Sequence, residues 1–216
     1  MERALARRGI HFRATEPDAV AHAYAAMSVA EFDAVNGRQD WANWRTIPRC
    51  LSGHVPDRPL RVLDLGSGTG SSTRVLAHYC PAGSHITGLE FVARLIDIAR
   101  QRTYSHRSGV PAHVDFHCQG VTEPLHQADG SPVPDHSVDV VNASGIVGHH
   151  LRPTTIKPLI EELCRMLRAE GIAMLDVGPT LEADALKPIM AAAGYSFLGH
   201  YRSWFADPTG QCVFRK

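Results

Sequence analysis

Asp64 stands two residues ahead of a glycine-rich run, Gly66-Ser67-Gly68-Thr69-Gly70, at the end of the apolar stretch Val62-Leu63-Asp64-Leu65. Glycines at alternate positions let a chain turn sharply and bring backbone N–H groups close to a ligand, while the helix that follows presents an N-terminus that favours electron-rich groups. A dinucleotide fingerprint asks for G-x-G-x-x-G, but counting from Gly66 the third glycine position holds Ser71, and Gly70 comes one place early. Charge then decides between ligands. A carboxylate beside a pyrophosphate would repel it, whereas near an ammonium and a sulfonium it would attract them. Asp64 thus predicts a cationic ligand; a carboxylate that caps the loop backbone is the plainer alternative, and a glycine turn with no ligand the plainest. Glu90, at the end of the next apolar run, offers two acceptor oxygens suited to a vicinal diol such as a ribose, against the reading of an ordinary solvated Glu at a helix start.

The elements that must hold these residues are legible in the pattern around them. From Leu60 onward, short β-rich runs alternate with helical ones: LRVLDL, then a helix from Ser71 to Tyr79; HITGLE, then FVARLIDIARQR; HVDFHC and a loop; SVDVVNAS, then TIKPLIEELCRMLR; GIAMLDV, then LEADALKPIMAAA. Such alternation predicts βαβ units, a parallel sheet and helices on both faces. The end departs from it: YSFLGHYRSWF and QCVFRK, joined by ADPTG, predict an antiparallel hairpin. Before residue 55 the reading is helical. Thr15-Glu16-Pro17-Asp18 supplies an N-cap, an early Pro and a capping-box acid for a helix, or two, ending near Gly37; DWANWRTI is a second piece that Pro48 ends or kinks. SGHVPDRP, residues 52–59, reads as a linker, and residues 122–137 as a long loop able to carry function.

Composition excludes several classes. The 216 residues carry 22 Lys and Arg against 22 Asp and Glu, so no surplus cationic charge draws the chain to nucleic acid or an anionic membrane. At 44% hydrophobic and 20% charged the chain can bury a core, and its length suits one compact domain. No apolar run approaches the ~20 residues that span a bilayer. The Arg-rich start lacks the apolar centre of a secretory signal, although a transit peptide stays open. Five scattered cysteines, Cys50, Cys80, Cys118, Cys164 and Cys212, read as reduced and mostly buried, which points to the cytoplasm.

With these residues in view, the chain resembles the class I S-adenosylmethionine-dependent methyltransferases over residues 60–178. VLDLGSGTG matches the glycine-rich first motif, TGLE the acidic second-strand end, SVDVVNASGIVGHHL the fourth strand with its His-containing loop, and LCRMLRAEGIAMLD the helix, turn and fifth strand, with Ala169-Glu170-Gly171 where the family usually has Pro-Gly-Gly. The resemblance implies an α/β, Rossmann-like sheet of seven mostly parallel strands in the order 3-2-1-4-5-7-6 with the last antiparallel. It also implies S-adenosylmethionine as cofactor, a core domain over 56–216, and residues 1–55 as an N-terminal helical extension or lid. The cofactor residues it implies are Asp64, Gly66, Ser67, Gly68, Gly70, Glu90, Phe91, Gly120, Val121 and Asn142. One departure stands out: where the family often has an Asp for the adenine amino group, this chain has Val121, leaving apolar contact and backbone groups, with Gln119 or Glu123 as polar substitutes.

The reaction expected is an in-line displacement in which an acceptor atom attacks the sulfonium methyl, with the protein supplying alignment, exclusion of water and removal of a proton. His149 and His150 are the candidate bases, since imidazole titrates near neutral pH, and a structural role for either is the alternative. Asn142-Ala143-Ser144-Gly145 lacks the Pro-Pro-aromatic run that clamps a flipped base, so nucleic acid is not expected. No metal site is expected: Asp176 is followed by Val177, and His113 and His117 merely share a strand face. Tyr24, Trp41, Trp44 and His149 are the expected acceptor contacts, with core packing as the alternative for the aromatics. Arg94, Arg100, Arg102 and Arg107 read as a solvated helix face. The leading reading is transfer of a methyl group to an O or N atom of a small organic acceptor, by a monomer or homodimer without nucleic-acid or membrane partners. The alternatives are a catalytically inactive S-adenosylmethionine-binding regulator and a dinucleotide-dependent oxidoreductase.

Overall fold

The computed structural model describes residues 2–11, 14–203 and 207–216. Three helices come first, α1 (Glu2–Arg7), α2 (Pro17–Ala26) and α3 (Val29–Leu51). Pro17 opens α2, as its fixed φ allows, but the cap is Glu16, which makes no side-chain cap bond, so Thr15 does not serve. The capping box forms later, at Ser28: its hydroxyl accepts from the Glu31 amide (3.3 Å) and Glu31 accepts from the Ser28 amide (2.8 Å). That reciprocal pair starts α3 and separates it from α2. Helix α3 then runs unbroken through Gly37, where the sequence predicts an end, and through Pro48. A mid-helix Gly costs about 1 kcal/mol. Ile47 and Leu51 of α3 are buried in the apolar layer that α4 and the sheet also line, and burial of such side chains contributes about 1.5–3 kcal/mol each. Packing therefore outweighs propensity.

Strands and helices follow in alternation: β1 (Arg61–Leu65), α4 (Ser71–Tyr79), β2 (His85–Glu90), α5 (Ala93–Arg100), β3 (His113–Cys118), β4 (Val138–Ala143), α6 (Val147–His150), α7 (Lys157–Met166), β5 (Leu167–Asp176), α8 (Ala183–Ala192), β6 (Ser196–Ser203) and β7 (Asp207–Arg215). They build one seven-stranded sheet in the order β3-β2-β1-β4-β5-β7-β6. Neighbours from β3 to β5 pair parallel, and β7 pairs antiparallel with both β5 and β6. The expected architecture is present.

Strand periodicity sorts the core into two layers. Leu63, Leu65, Val141, Ala143, Ala173 and Leu175 face α7 and α8. Val62, Val140, Ile172 and Met174 face α3, α4 and α5. By the same alternation Asp64 and Asn142 fall on the α3–α4 side, at the carboxyl ends of β1 and β4, which lie side by side in register.

Two local expectations are corrected. Ala169-Glu170-Gly171 is not a turn ahead of β5: the strand begins at Leu167, and the register against β4 shifts between Val138 and Val140. Glu170 takes a left-handed conformation (φ 64°) and its amide donates to the Lys216 carbonyl. The extra residues thus bulge out while pairing continues beyond them. At the terminal hairpin, Asp207-Pro208-Thr209-Gly210 belongs to β7 and not to the turn; Trp204, Phe205 and Ala206 lie outside the described residues.

The glycines of this frame are not equivalent. A Cβ at Gly148 would stand 2.1 Å from Gly178 N and Val177 C, backbone atoms with nowhere to go, while a Cβ at Gly37 would meet nothing within 4 Å. Gly148→Ala is expected to destabilise the protein by about 1–3 kcal/mol and Gly37→Ala to stabilise it by about 0.5–1 kcal/mol. Urea unfolding of the two variants checks both signs.

Candidate functional site

Asp64 is fully buried, and desolvation pushes its carboxyl above the ordinary carboxylate range. Its charge is met within the protein. Oδ2 accepts from Ser72 Oγ (2.7 Å) and Thr73 Oγ1 (2.6 Å) at the start of α4, and Oδ1 accepts from Asn142 Nδ2 (2.7 Å) on β4. Asn142 Oδ1 in turn accepts from Gln211 Nε2 (2.9 Å), which also donates to the Ala143 carbonyl. Neither Asp64 nor Asn142 lines a cavity. Asp64 and Asn142 thus brace the loop from beneath, tied to each other and to α4 and β7.

Above that brace the glycine loop turns outward. Gly66, Gly68 and Gly70 have φ of 62°, 52° and 82°, which disfavours side chains. A Cβ at Gly70 would lie 2.1 Å from the Tyr104 hydroxyl, so this glycine serves packing under the loop. At Gly66 and Gly68 the neighbours are different: a Cβ would meet Ile146 Cδ1 at 1.9 Å and Phe32 Cζ at 2.8 Å, ends of movable side chains that line the cleft. Ser67 Oγ is buried with no hydrogen-bond partner, beneath the loop beside Gly88 and Phe116. Glu90 faces this cradle. Its Oε2 accepts from the Gly68 amide (3.1 Å) and its Oε1 from the Val92 amide (2.9 Å), leaving lone pairs on both oxygens for a diol.

The cleft beside Glu90 is a cavity of about 270 Å³. Phe91, Gly120 and Val121 line it, and Glu123 reaches it too. Gln119 also borders it, but its amide is occupied by the loop, accepting from the His126 amide (3.0 Å) and donating to the Pro124 carbonyl (2.6 Å). Of the two polar substitutes at the adenine end, Glu123 is the one not committed in this way. A diol acceptor, an apolar wall at Phe91 and Val121 and a glycine cradle together fit S-adenosylmethionine. Phe32, Asn36 and Ser144 also border the cleft and were missed from the sequence. Phe32, Asn36 and Asp40 recur every four residues, a single helical face, and that spacing was the signal available.

Tyr24 and His150 meet in the wall of the same cavity, the Tyr24 ring edge-on to Phe91. His150 Nδ1 lies 2.9 Å from the Ala14 carbonyl and Nε2 lies 3.2 Å from the Tyr24 hydroxyl. A carbonyl only accepts, so Nδ1 carries the hydrogen and Nε2 of the neutral ring is the acceptor. Burial lowers the His150 pKa, opposed by the Ala14 carbonyl and the Asp176 carboxylate; burial raises that of Tyr24, helped by Glu90 and Asp176. Asp176 is spent as a cap: its oxygens accept from the amides of Ile146 (3.0 Å), Val147 (2.9 Å) and Gly148 (2.9 Å), orienting α6 and with it His150.

Other expected residues lie elsewhere. His149 points away from the cavity, toward Gly178. Trp41 is exposed under the Arg45 guanidinium, and Trp44 packs on His78 and Tyr79 of α4; neither lines the cavity. Trp44 continues the row of Phe32, Asn36 and Asp40 one turn further along α3, where that helix meets α4. Of the four arginines, Arg94 donates to the Tyr24 carbonyl (3.1 Å), Arg100 to that of Phe116 (2.8 Å) and Arg102 to Thr69 Oγ1 (3.0 Å), while Arg107 is exposed as expected. Among the described residues no group of three His, Cys, Asp or Glu is placed to hold a metal ion, and no helix is long and apolar enough to cross a membrane.

Burial pushes the Glu90 carboxyl up to about 6 from its ordinary 4.5, against the pull of the Val92 and Gly68 amides. Between those values the folded chain holds a proton that the unfolded chain lacks. This contribution to stability is present at low pH and is lost as pH rises through about 6. Diol binding wants the charged form, so the affinity for S-adenosylhomocysteine is expected to fall by up to about tenfold per pH unit below about pH 6. Calorimetric titration across that range checks it, and a flat profile would remove Glu90 as diol acceptor.

Comparison with known proteins agrees with this geometry. A family model described as a methyltransferase domain matches residues 62–171. An uncharacterised protein of Synechococcus sp. is 32% identical over 157 residues, which are 68% of this chain and 35% of that protein. The biotin biosynthesis bifunctional protein BioHC of Cellvibrio japonicus is 30% identical over 156 residues, 70% of this chain and 26% of that protein. The chain thus spans about a third and a quarter of these curated relatives. Among solved structures, a TehB-like S-adenosylmethionine-dependent methyltransferase from Corynebacterium glutamicum superposes with a TM-score of 0.58 at 21% identity, over 92% of this chain and 99% of that one. Magnesium protoporphyrin IX methyltransferase from Synechocystis, with its methyl donor bound, gives 0.60 at 15% identity, over 94% and 92%. At such identities the structural likeness is one of fold. The matched family model, the strand order and the glycine cradle facing Glu90 show that this chain belongs to the methyltransferase-domain family, with the class I S-adenosylmethionine-dependent methyltransferase fold.

Proposed function

We propose that this methyltransferase modifies an O or N atom of a small organic acceptor that is uncharged or cationic, and that residues 1–55 form the lid over it. The observation that carries the reading is the Tyr24–His150 pair in the wall of a cavity whose lining includes Asp18, Glu90 and Glu123 and, among the described residues, no Lys or Arg. A carboxylate or phosphate acceptor would enter that field unpaired. The small-molecule reading has further support in the formal net charge of zero, which gives no general attraction to nucleic acid. The five cysteines are unpaired, which accords with a cytoplasmic enzyme; a monomer or homodimer would suffice.

Bound in the cradle, the donor supplies a methyl group already activated on a sulfonium. The protein's part is to exclude water, align the acceptor and receive its proton. A proton leaving the acceptor passes to the Tyr24 oxygen as the Tyr24 proton passes to His150 Nε2. The resulting imidazolium is held by the Ala14 carbonyl and favoured by the carboxylate of Asp176. Tyr24 comes from α2, so closure of the N-terminal helices completes the pair and covers the site in one movement.

Labelled methyl donor incubated with a metabolite extract tests this. Label is expected in the small-molecule fraction, with the rate reduced about 10²-fold or more in His150→Ala and Tyr24→Phe while S-adenosylhomocysteine affinity stays within about twofold. Label confined to protein or nucleic acid, or no transfer at all, would overturn the proposal.

A further inference from the structure

A second cavity, of about 330 Å³, opens between α3 and the glycine loop and shares Phe32, Asn36, Gly66 and Ser144 with the first. Their junction is where the reacting methyl group belongs. A nucleoside with its diol on Glu90 and its base against Phe91 and Val121 turns its 5′ carbon, and the sulfur beyond it, away from that wall and toward Gly66 and Gly68, whose amide already touches Glu90 at 3.1 Å. Of the four shared residues, Phe32 and Gly66 have no polar side-chain atom. The Ser144 hydroxyl is engaged on both sides, accepting from Gln39 Nε2 (3.0 Å) and donating to Asn43 Oδ1 (2.6 Å). Asn36 is different. A carbonyl only accepts, so the amide atom 2.9 Å from the Phe32 carbonyl is Nδ2, and among the described residues no donor reaches Oδ1.

We infer that Asn36 Oδ1 receives an N–H of the acceptor, and that the atom methylated is the nitrogen of a primary or secondary amine. The inference rests on the proposed function and narrows it. Two groups at the junction call for hydrogens from the acceptor: the Tyr24 oxygen, backed by His150 Nε2 at 3.2 Å, and Asn36 Oδ1. Their elements converge, since the Tyr24 ring meets that of Phe32 edge-on at 5.9 Å and Asn36 stands one turn beyond Phe32 on α3. An alcohol has one hydrogen on its oxygen, and giving it to Tyr24 leaves Oδ1 unpaired. An alkylammonium has at least two, and the carboxylates of Asp18, Glu90 and Glu123 in the lining attract its charge. One proton passes to the Tyr24 oxygen as the Tyr24 proton passes to His150 Nε2. The lone pair so freed forms the N–C bond while the C–S bond breaks and its electrons remain on sulfur, giving an N-methylated ammonium and S-adenosylhomocysteine. The second N–H stays on Asn36 Oδ1 throughout and aims the lone pair at the methyl carbon.

Two readouts on the full chain test this. With methyl-labelled donor and a metabolite extract, the NMR shift of the transferred methyl carbon separates N-methyl from O-methyl products, and N-methyl products are expected. Asn36→Leu, of similar volume but without Oδ1, is expected to slow that transfer about tenfold to a hundredfold while S-adenosylhomocysteine affinity stays within about twofold. The retained affinity shows in the same experiment that the variant is folded. O-methyl products alone, a variant as fast as the parent, or an affinity that falls in step with the rate would each overturn the inference while leaving methyl transfer to a small molecule standing. No transfer by the parent would remove the proposed function and this inference with it.

Discussion

A carboxylate taken out of water at the end of a central strand must be met by donors, and in this protein three separate elements are tied together by meeting it. Asp64 on β1 takes hydroxyls from Ser72 and Thr73 of α4 and an amide from Asn142 of β4, and Asn142 is held in turn by Gln211 of β7. An unpaired buried charge of this kind would be far more costly than the hydrogen bonds are individually favourable. The glycine loop spans the short distance between two of these anchors, so its left-handed backbone is fixed from below before any ligand arrives. Preorganisation of the cradle follows from that network.

The N-terminal helices build the other half of the site. Helix α3 packs against α4, β6 and β7, and the face it turns to the loop carries Phe32, Asn36, Asp40 and Asn43. Gln39 and Asn43 meet Ser144 from β4's end through hydrogen bonds of 3.0 and 2.6 Å. The α1–α2 segment has a small apolar cluster of its own, Leu5, Ile10, Ala23 and Met27, and reaches the core at polar points: Ala14 to His150, Tyr24 to His150 and to Arg94. Tyr24 adds edge-on ring contacts with Phe32, Phe91 and His150, and Val35 of α3 packs on the small cluster.

Acidic groups are divided by duty. Asp64 braces the glycine loop from below and Asp176 caps α6, whereas Asp18, Glu90 and Glu123 face the cavity. Asp176 still acts at a distance, since its negative field favours a proton on His150. The buried carboxylates thus set the shape of the site and part of its electrostatic field.

The strands, their helical alternation, the glycine loop and Glu90 could be read from the sequence because each depends on local chemistry: a period of two, a period near four, a turn that only glycine tolerates. Two local readings failed where long-range burial overrode propensity, at Gly37 inside α3 and at the bulge in β5. What the tertiary structure alone decided is the allocation of partners. Gln211, Asn142 and Asp64 are far apart along the chain and converge only when β7, β4 and β1 take their places in the sheet; Tyr24 meets His150 only when α2 lies over α6. Whether a buried carboxylate greets a ligand or braces a loop depends on which donors surround it in space, and no spacing along a chain records that.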